Sequence, residues 1–170
     1  GRWLMGIGLI LLAYAMWVHA HFTADVGFYT IGWVGVVQGF GLGLVFVPIN
    51  TLTFVTLSPE HRTEAAGMFN FVRNVGASIG VSIVIGTLIR NTQINHEELV
   101  GHITPFNEMI RAPFLPEAWK LSDVAGLLAL NNEITRQAST IAFANDFKLL
   151  MIVALLNIPI LFFFRLPKKD

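Results

Sequence analysis

The residues of this 170-residue chain with the types to do chemistry are its histidines, its carboxylates and one arginine. His96-Glu97-Glu98 begins like a zinc-protease helix, but the next histidine is His102. Six residues turn a helix by about 600°, which leaves the two imidazoles on different sides, and zinc ligation needs i and i+4. His19 and His21 diverge in the same way, by about 200°. All four read as solvated loop histidines. The chain has no cysteine, which excludes disulfide scaffolds, thiolate metal sites and thiol catalysis. It has no glycine-rich phosphate loop, no serine nucleophile elbow and no paired carboxylates in an apolar stretch. No catalytic residue, metal or cofactor is expected, and an enzyme is not.

Arg73 is different, because it interrupts an apolar run. Residues 65–89 contain no other charge, and Arg73 lies nine residues, about 13 Å of helix, inside that run. Asn70, Arg73, Asn74 and Ala77 share a helical face, with Gly76 and Gly80 beside it. One reading turns the guanidinium towards the interior of a helix bundle, where it needs a carboxylate, carbonyls or water. The other lets it snorkel to the headgroups.

Composition says what kind of element holds such a residue. Charged side chains are 13% of the chain, against roughly 25% in a soluble domain. Hydrophobic residues are 54%, and mean hydropathy is +0.64. Too few charges remain for a soluble coat, and the chain is too apolar to be disordered. Eleven basic residues balance eleven acidic ones, so there is no basic patch and no nucleic-acid partner. An all-α integral membrane protein remains, in contact with the lipid bilayer.

Four stretches are candidates to cross it: 3–22, 28–57, 65–89 and 147–165. A span needs about 20 apolar residues. The uncharged core of the first, 3–18, is short alone and extends through His19 to Phe22. The last starts near Phe147, with Lys148 snorkelling. A signal peptide is the alternative for the first stretch. Gly1 replaces an initiator methionine, so the chain is expected to be a piece of a longer protein.

Residues 90–146 are polar and include Pro105, Pro113 and Pro116. Their later part, 122–145, reads as an amphipathic helix capped by Ser122, with Val124, Leu127, Leu128, Leu130, Ile134, Ala138 and Ile141 at helical spacing. Arg2, Arg62, Arg165, Lys168 and Lys169 fall on one side of the membrane, which the positive-inside rule makes cytoplasmic. Residues 90–146 then form a periplasmic or extracellular loop.

The middle two spans carry the polar and small residues. Gly35, Gly39 and Gly43 repeat every four residues, as do Gly76 and Gly80. Small residues at that spacing let helix backbones approach closely in lipid. Static packing is one reading, and a surface on which helices rock or slide is the other. Pro48 removes a backbone donor and weakens its helix locally. Gln38 and Asn50 add polar groups to the same span.

The segment Gly67-Met-Phe-Asn70-Phe-Val-Arg73-Asn74-Val-Gly76-Ala-Ser78-Ile-Gly80-Val-Ser82 resembles the major facilitator superfamily drug:proton antiporters with fourteen helices, the EmrB/QacA type. There, N-x-x-R followed by G-x-S-x-G opens the penultimate helix. The glycine-rich helix reaching Val47-Pro48, the Leu57-Ser-Pro-Glu-His-Arg62 connection and the closing Gln137-Ala138 … Ala144-Asn-Asp146-Phe fit the same family. The resemblance spans the whole chain. It implies four transmembrane helices forming the C-terminal part of a major facilitator superfamily bundle, partnered by the missing N-terminal helices. It further implies small organic substrates exchanged for protons by alternating access around a midplane site, with a periplasmic adaptor protein as a further partner. Gln38, Asn50, Asn70, Arg73 and Asn74 become candidates for the substrate pathway, with Arg73 also at the moving interface. No acid lies inside a span, so the titratable group would come from the missing helices. A metabolite or siderophore exporter of the same superfamily is an alternative. From another class, so is a four-helix membrane scaffold or assembly protein that transports nothing.

Overall fold

The computed structural model describes residues 2–55, 57–104, 119 and 123–163. Ser122, Pro105, Pro113, Pro116, Arg165, Lys168 and Lys169, named above, lie outside the described residues. Four α-helices follow one another: α1 Arg2–His19, α2 Phe28–Val55, α3 Arg62–Gly101 and α4 Val124–Phe163, with a 3-10 turn Pro59–His61 before α3. No strand occurs among the described residues. The fold is all-α. Phe28–Thr51, Pro59–Gly101 and Val124–Leu161 are long and apolar enough to cross a membrane, and Trp3–His19 is a shorter apolar helix.

Two helices are longer than their apolar runs. α3 and α4 have 40 residues each, about 60 Å against a hydrocarbon core of about 30 Å. The polar segment was expected to begin at Arg90, but α3 continues as helix to Gly101. Nothing between Arg90 and Val100 can stop it, for there is no glycine or proline. The amphipathic helix and the last span, read as separate, are one helix, because residues 127–158 also lack both breakers. α1 ends sooner than expected, at His19. The His21 ring donates from Nδ1 to the Trp17 carbonyl at 2.7 Å, satisfying a free acceptor of the last turn, and the His19 ring adds a second donor to the Ala15 carbonyl at 2.8 Å. His102 does the same for Glu98 at 2.8 Å.

The chain forms two compact units. In the first, residues 2–83 and 147–163, α1 packs on α2. Met5, Leu9, Ala13 and Met16 of α1 are buried there. The Phe54 and Phe69 rings meet edge to face at 5.8 Å, and the His19 ring lies 4.7 Å from that of Phe147. α3 buries no residue, and large apolar side chains such as Trp33, Phe71 and Ile83 stay exposed. Lipid tails are as apolar as these side chains, so hydrophobicity alone does not drive them inward.

In the second unit, residues 84–146, α3 and α4 are joined by polar groups. Asn95 donates to the Ala138 carbonyl at 3.4 Å, and the His96 ring Nε2 donates to Asn131 Oδ1 at 3.1 Å. Ile134, Ala138 and Ala142 are buried on α4. On its outer side Glu133 accepts from Arg136 at 2.7 and 2.8 Å and from Gln137 at 2.8 Å. These donors hold the Glu133 carboxyl down at about 2, below its usual 4.5. A lowered value stabilises the fold above pH 4.5 and loses that contribution as pH falls towards 2. The melting temperature should therefore fall over that window, and less so in Glu133→Gln; equal slopes would discard the clamp.

Candidate functional site

The site builds outward from Arg73. Its guanidinium carbon lies 5.9 Å from the centroid of the Phe46 ring on α2, within the range in which an aromatic face attracts a cation. In apolar surroundings that face offers partial negative charge without a carboxylate, which suits a helix pair that has none at this level. Arg73 is exposed.

Phe46 is tied to the predicted pathway residues on α2. Asn50 Nδ2 donates to the Phe46 carbonyl at 3.0 Å, Thr51 to Val47 at 3.0 Å and Thr53 to Ile49 at 2.9 Å. Pro48 sits among them, buried, and α2 runs through it unbroken. Its missing N–H leaves the Leu44 carbonyl without the usual helical donor, while the three side chains tie down carbonyls on either side of the proline. Gln38 is half-buried, two turns earlier on α2. Asn70 and Asn74 flank Arg73 on α3 and are exposed. The structure thus joins Arg73 and Asn50 through Phe46, and leaves Gln38, Asn70 and Asn74 outside that contact.

The glycines divide in an unexpected way. A Cβ at Gly35, Gly39, Gly43, Gly76 or Gly80 would meet nothing within 4 Å among the described residues. The close crossing uses Gly8 and Gly41 instead: a Cβ on Gly8 would lie 2.8 Å from the Gly41 carbonyl oxygen, and one on Gly41 3.1 Å from that of Gly8. Sequence reasoning passed over Gly8, whose neighbours four residues away, Leu4 and Leu12, are large. It also missed Phe46, which has no mark in a chain of 14 phenylalanines.

A second missed group is Asp146. It is 4% exposed, and neither carboxylate oxygen has a hydrogen-bond partner among the described residues. It follows Ile134, Ala138 and Ala142 at every fourth position, so the buried face of α4 ends on a carboxyl.

Comparison with known proteins fits this arrangement of polar features on apolar helices. Residues 1–81 match the Major Facilitator Superfamily. The likeness to that superfamily covers just under half of the chain. The chain is 26% identical over 166 residues to Probable multidrug resistance protein EmrY of Escherichia coli (strain K12), covering 94% of this chain and 32% of EmrY. It is 27% identical over 168 residues to Multidrug export protein EmrB of Haemophilus influenzae, covering 98% of this chain and 33% of EmrB. Fatty acid resistance protein FarB of Neisseria gonorrhoeae shows 27% identity over 168 residues, with 98% and 33% covered. The chain spans about a third of the length of these relatives. No solved structure matches it. Its helices and this kinship make it a multi-pass membrane protein.

Proposed function

We propose that this chain is part of a secondary transporter that exports small organic or amphipathic molecules in exchange for protons, by alternating access. The observation that carries the reading is Arg73, a charge set in an apolar helix and facing the Phe46 ring of the neighbouring one. A scaffold needs neither a charge at that depth nor the polar run about Pro48. The relatives' names point the same way, since they speak of multidrug export and fatty-acid resistance.

In this reading residues 3–22, 28–57, 65–89 and 147–165 are the membrane spans, with the polar ends of α3 and α4 in the 90–146 segment outside the bilayer. The basic ends face the cytoplasm of a bacterial inner membrane, and the 90–146 segment faces the periplasm or exterior. Gln38 and Asn50 border the substrate path. Asn70, Arg73 and Asn74 act where α3 moves against a neighbouring helix. Gly35, Gly39, Gly43, Gly76 and Gly80, open within this chain, receive helices of the rest of the transporter. A periplasmic adaptor is a further partner of the whole assembly.

The test is a resistance and dye-efflux profile of the full-length protein, with and without a proton uncoupler. Efflux of several amphipathic compounds that collapses with the uncoupler is expected. Efflux that ignores it would remove proton exchange, and a narrow profile confined to one metabolite would favour a metabolite exporter. No efflux from well-inserted protein would leave the scaffold.

A further inference from the structure

By sequence no acid lies inside any of the four spans, yet the fold hides one at the threshold of the last. α4 runs without a break from Val124 to Phe163, so Asp146 is the helical residue immediately before the final apolar run. Its side chain is 4% exposed and both oxygens lack a hydrogen-bond partner among the described residues. Ile134, Ala138 and Ala142, the buried residues leading up to it, offer only apolar surface. A carboxylate so placed is strongly disfavoured, and its neutral acid is not.

Within its own unit, residues 84–146, the charged and titratable side chains on α3 are exposed or engaged elsewhere. On α3, Arg90 is exposed and His96 donates to Asn131. On α4 itself Glu133 and Arg136 hold each other, and Lys148 lies two residues on. Burial is the cause that pushes the Asp146 carboxyl up from its ordinary value.

We propose that Asp146 is a proton-binding carboxyl of this protein, neutral while buried and releasing its proton when helix movement admits water. The carboxylate takes one proton from water and returns it to water, with no other bond made or broken. The role rests on the proton-exchange reading above, and places at least one titratable group on this chain rather than on other helices.

Infrared difference spectroscopy of the full-length protein in liposomes tests it. A protonated carboxyl C=O band that persists above the ordinary carboxylate range and disappears in Asp146→Asn is expected, and an unchanged spectrum would overturn the proposal. Stability gives a second reading. A raised value stabilises the fold at low pH and loses that contribution as pH rises, so the wild-type melting temperature should fall with pH and that of Asp146→Asn should stay level. An Asn variant that fails to fold would make the carboxylate a structural ion partner and also overturn it. Uncoupler-insensitive efflux by the wild type would sink the antiport reading instead, while the carboxyl band would still decide Asp146. Uncoupler-sensitive efflux with the same pH profile in wild type and Asp146→Asn would remove Asp146 from the coupling.

Discussion

Arg73→Ala is expected to cut dye and drug efflux by the full-length protein by about tenfold, while the protein still inserts and accumulates. The guanidinium faces Phe46 at 5.9 Å, and such a contact is worth from about 0.5 kcal/mol when exposed to about 2 when desolvated. Tenfold corresponds to about 1.4 kcal/mol, within that range. The contact joins α2 to α3, so in the proposed transporter it would act on helix movement rather than on insertion, which the surrounding apolar residues govern. Arg73→Lys keeps the charge but loses the flat, weakly hydrated group that stacks on a ring, and should fall between. Phe46→Leu should match Arg73→Ala, and the double variant should be no worse than either single one. Normal efflux by a well-expressed Arg73→Ala would take the pair out of the mechanism.

The largest effect on stability is expected at Gly8. A Cβ there would lie 2.8 Å from the Gly41 carbonyl oxygen and from Val45 Cγ2. A side-chain methyl can swing away, but a backbone carbonyl inside a helix cannot. Gly8→Leu must therefore push α1 off α2, at a cost of about 1–3 kcal/mol or more. A lowered melting temperature in detergent, with early loss of α1–α2 contact, is the expected result. An unchanged melting curve would mean that the crossing is not close. Gly39→Leu is the informative contrast, because nothing described lies within 4 Å of that position. Its stability should drop in the full-length protein if other helices pack there, and stay level if lipid does.

Much of the fold was legible without coordinates, for a local reason. A charge in hydrocarbon is costly wherever the chain bends next, so runs such as 26–59 mark spans by themselves. Helix ends were read less well. Polarity at Arg90 and Asp146 was taken as a boundary, yet a helix stops at breakers, and neither stretch has one before Gly101 or Pro159. Of the site, Arg73 was legible because it breaks an apolar pattern, and Asn50 because polar groups are rare there. Phe46 was not, since one phenylalanine among many carries no signal of what it faces. The glycine repeats named real small-residue faces but not the crossing, which falls at Gly8 and Gly41.

The sequence by itself determined that this protein is helical, membrane-bound and equipped with one arginine where charge is scarce. These properties depend on residue type and spacing along a single helix. Only the tertiary structure decided that Arg73 faces Phe46, that Gly8 meets Gly41 and that Asp146 is buried with no hydrogen-bond partner among the described residues. Each of those depends on the register and approach of two helices, set by shape over many residues at once. An acid counted among loop residues thereby becomes the most deeply buried polar group described in the chain.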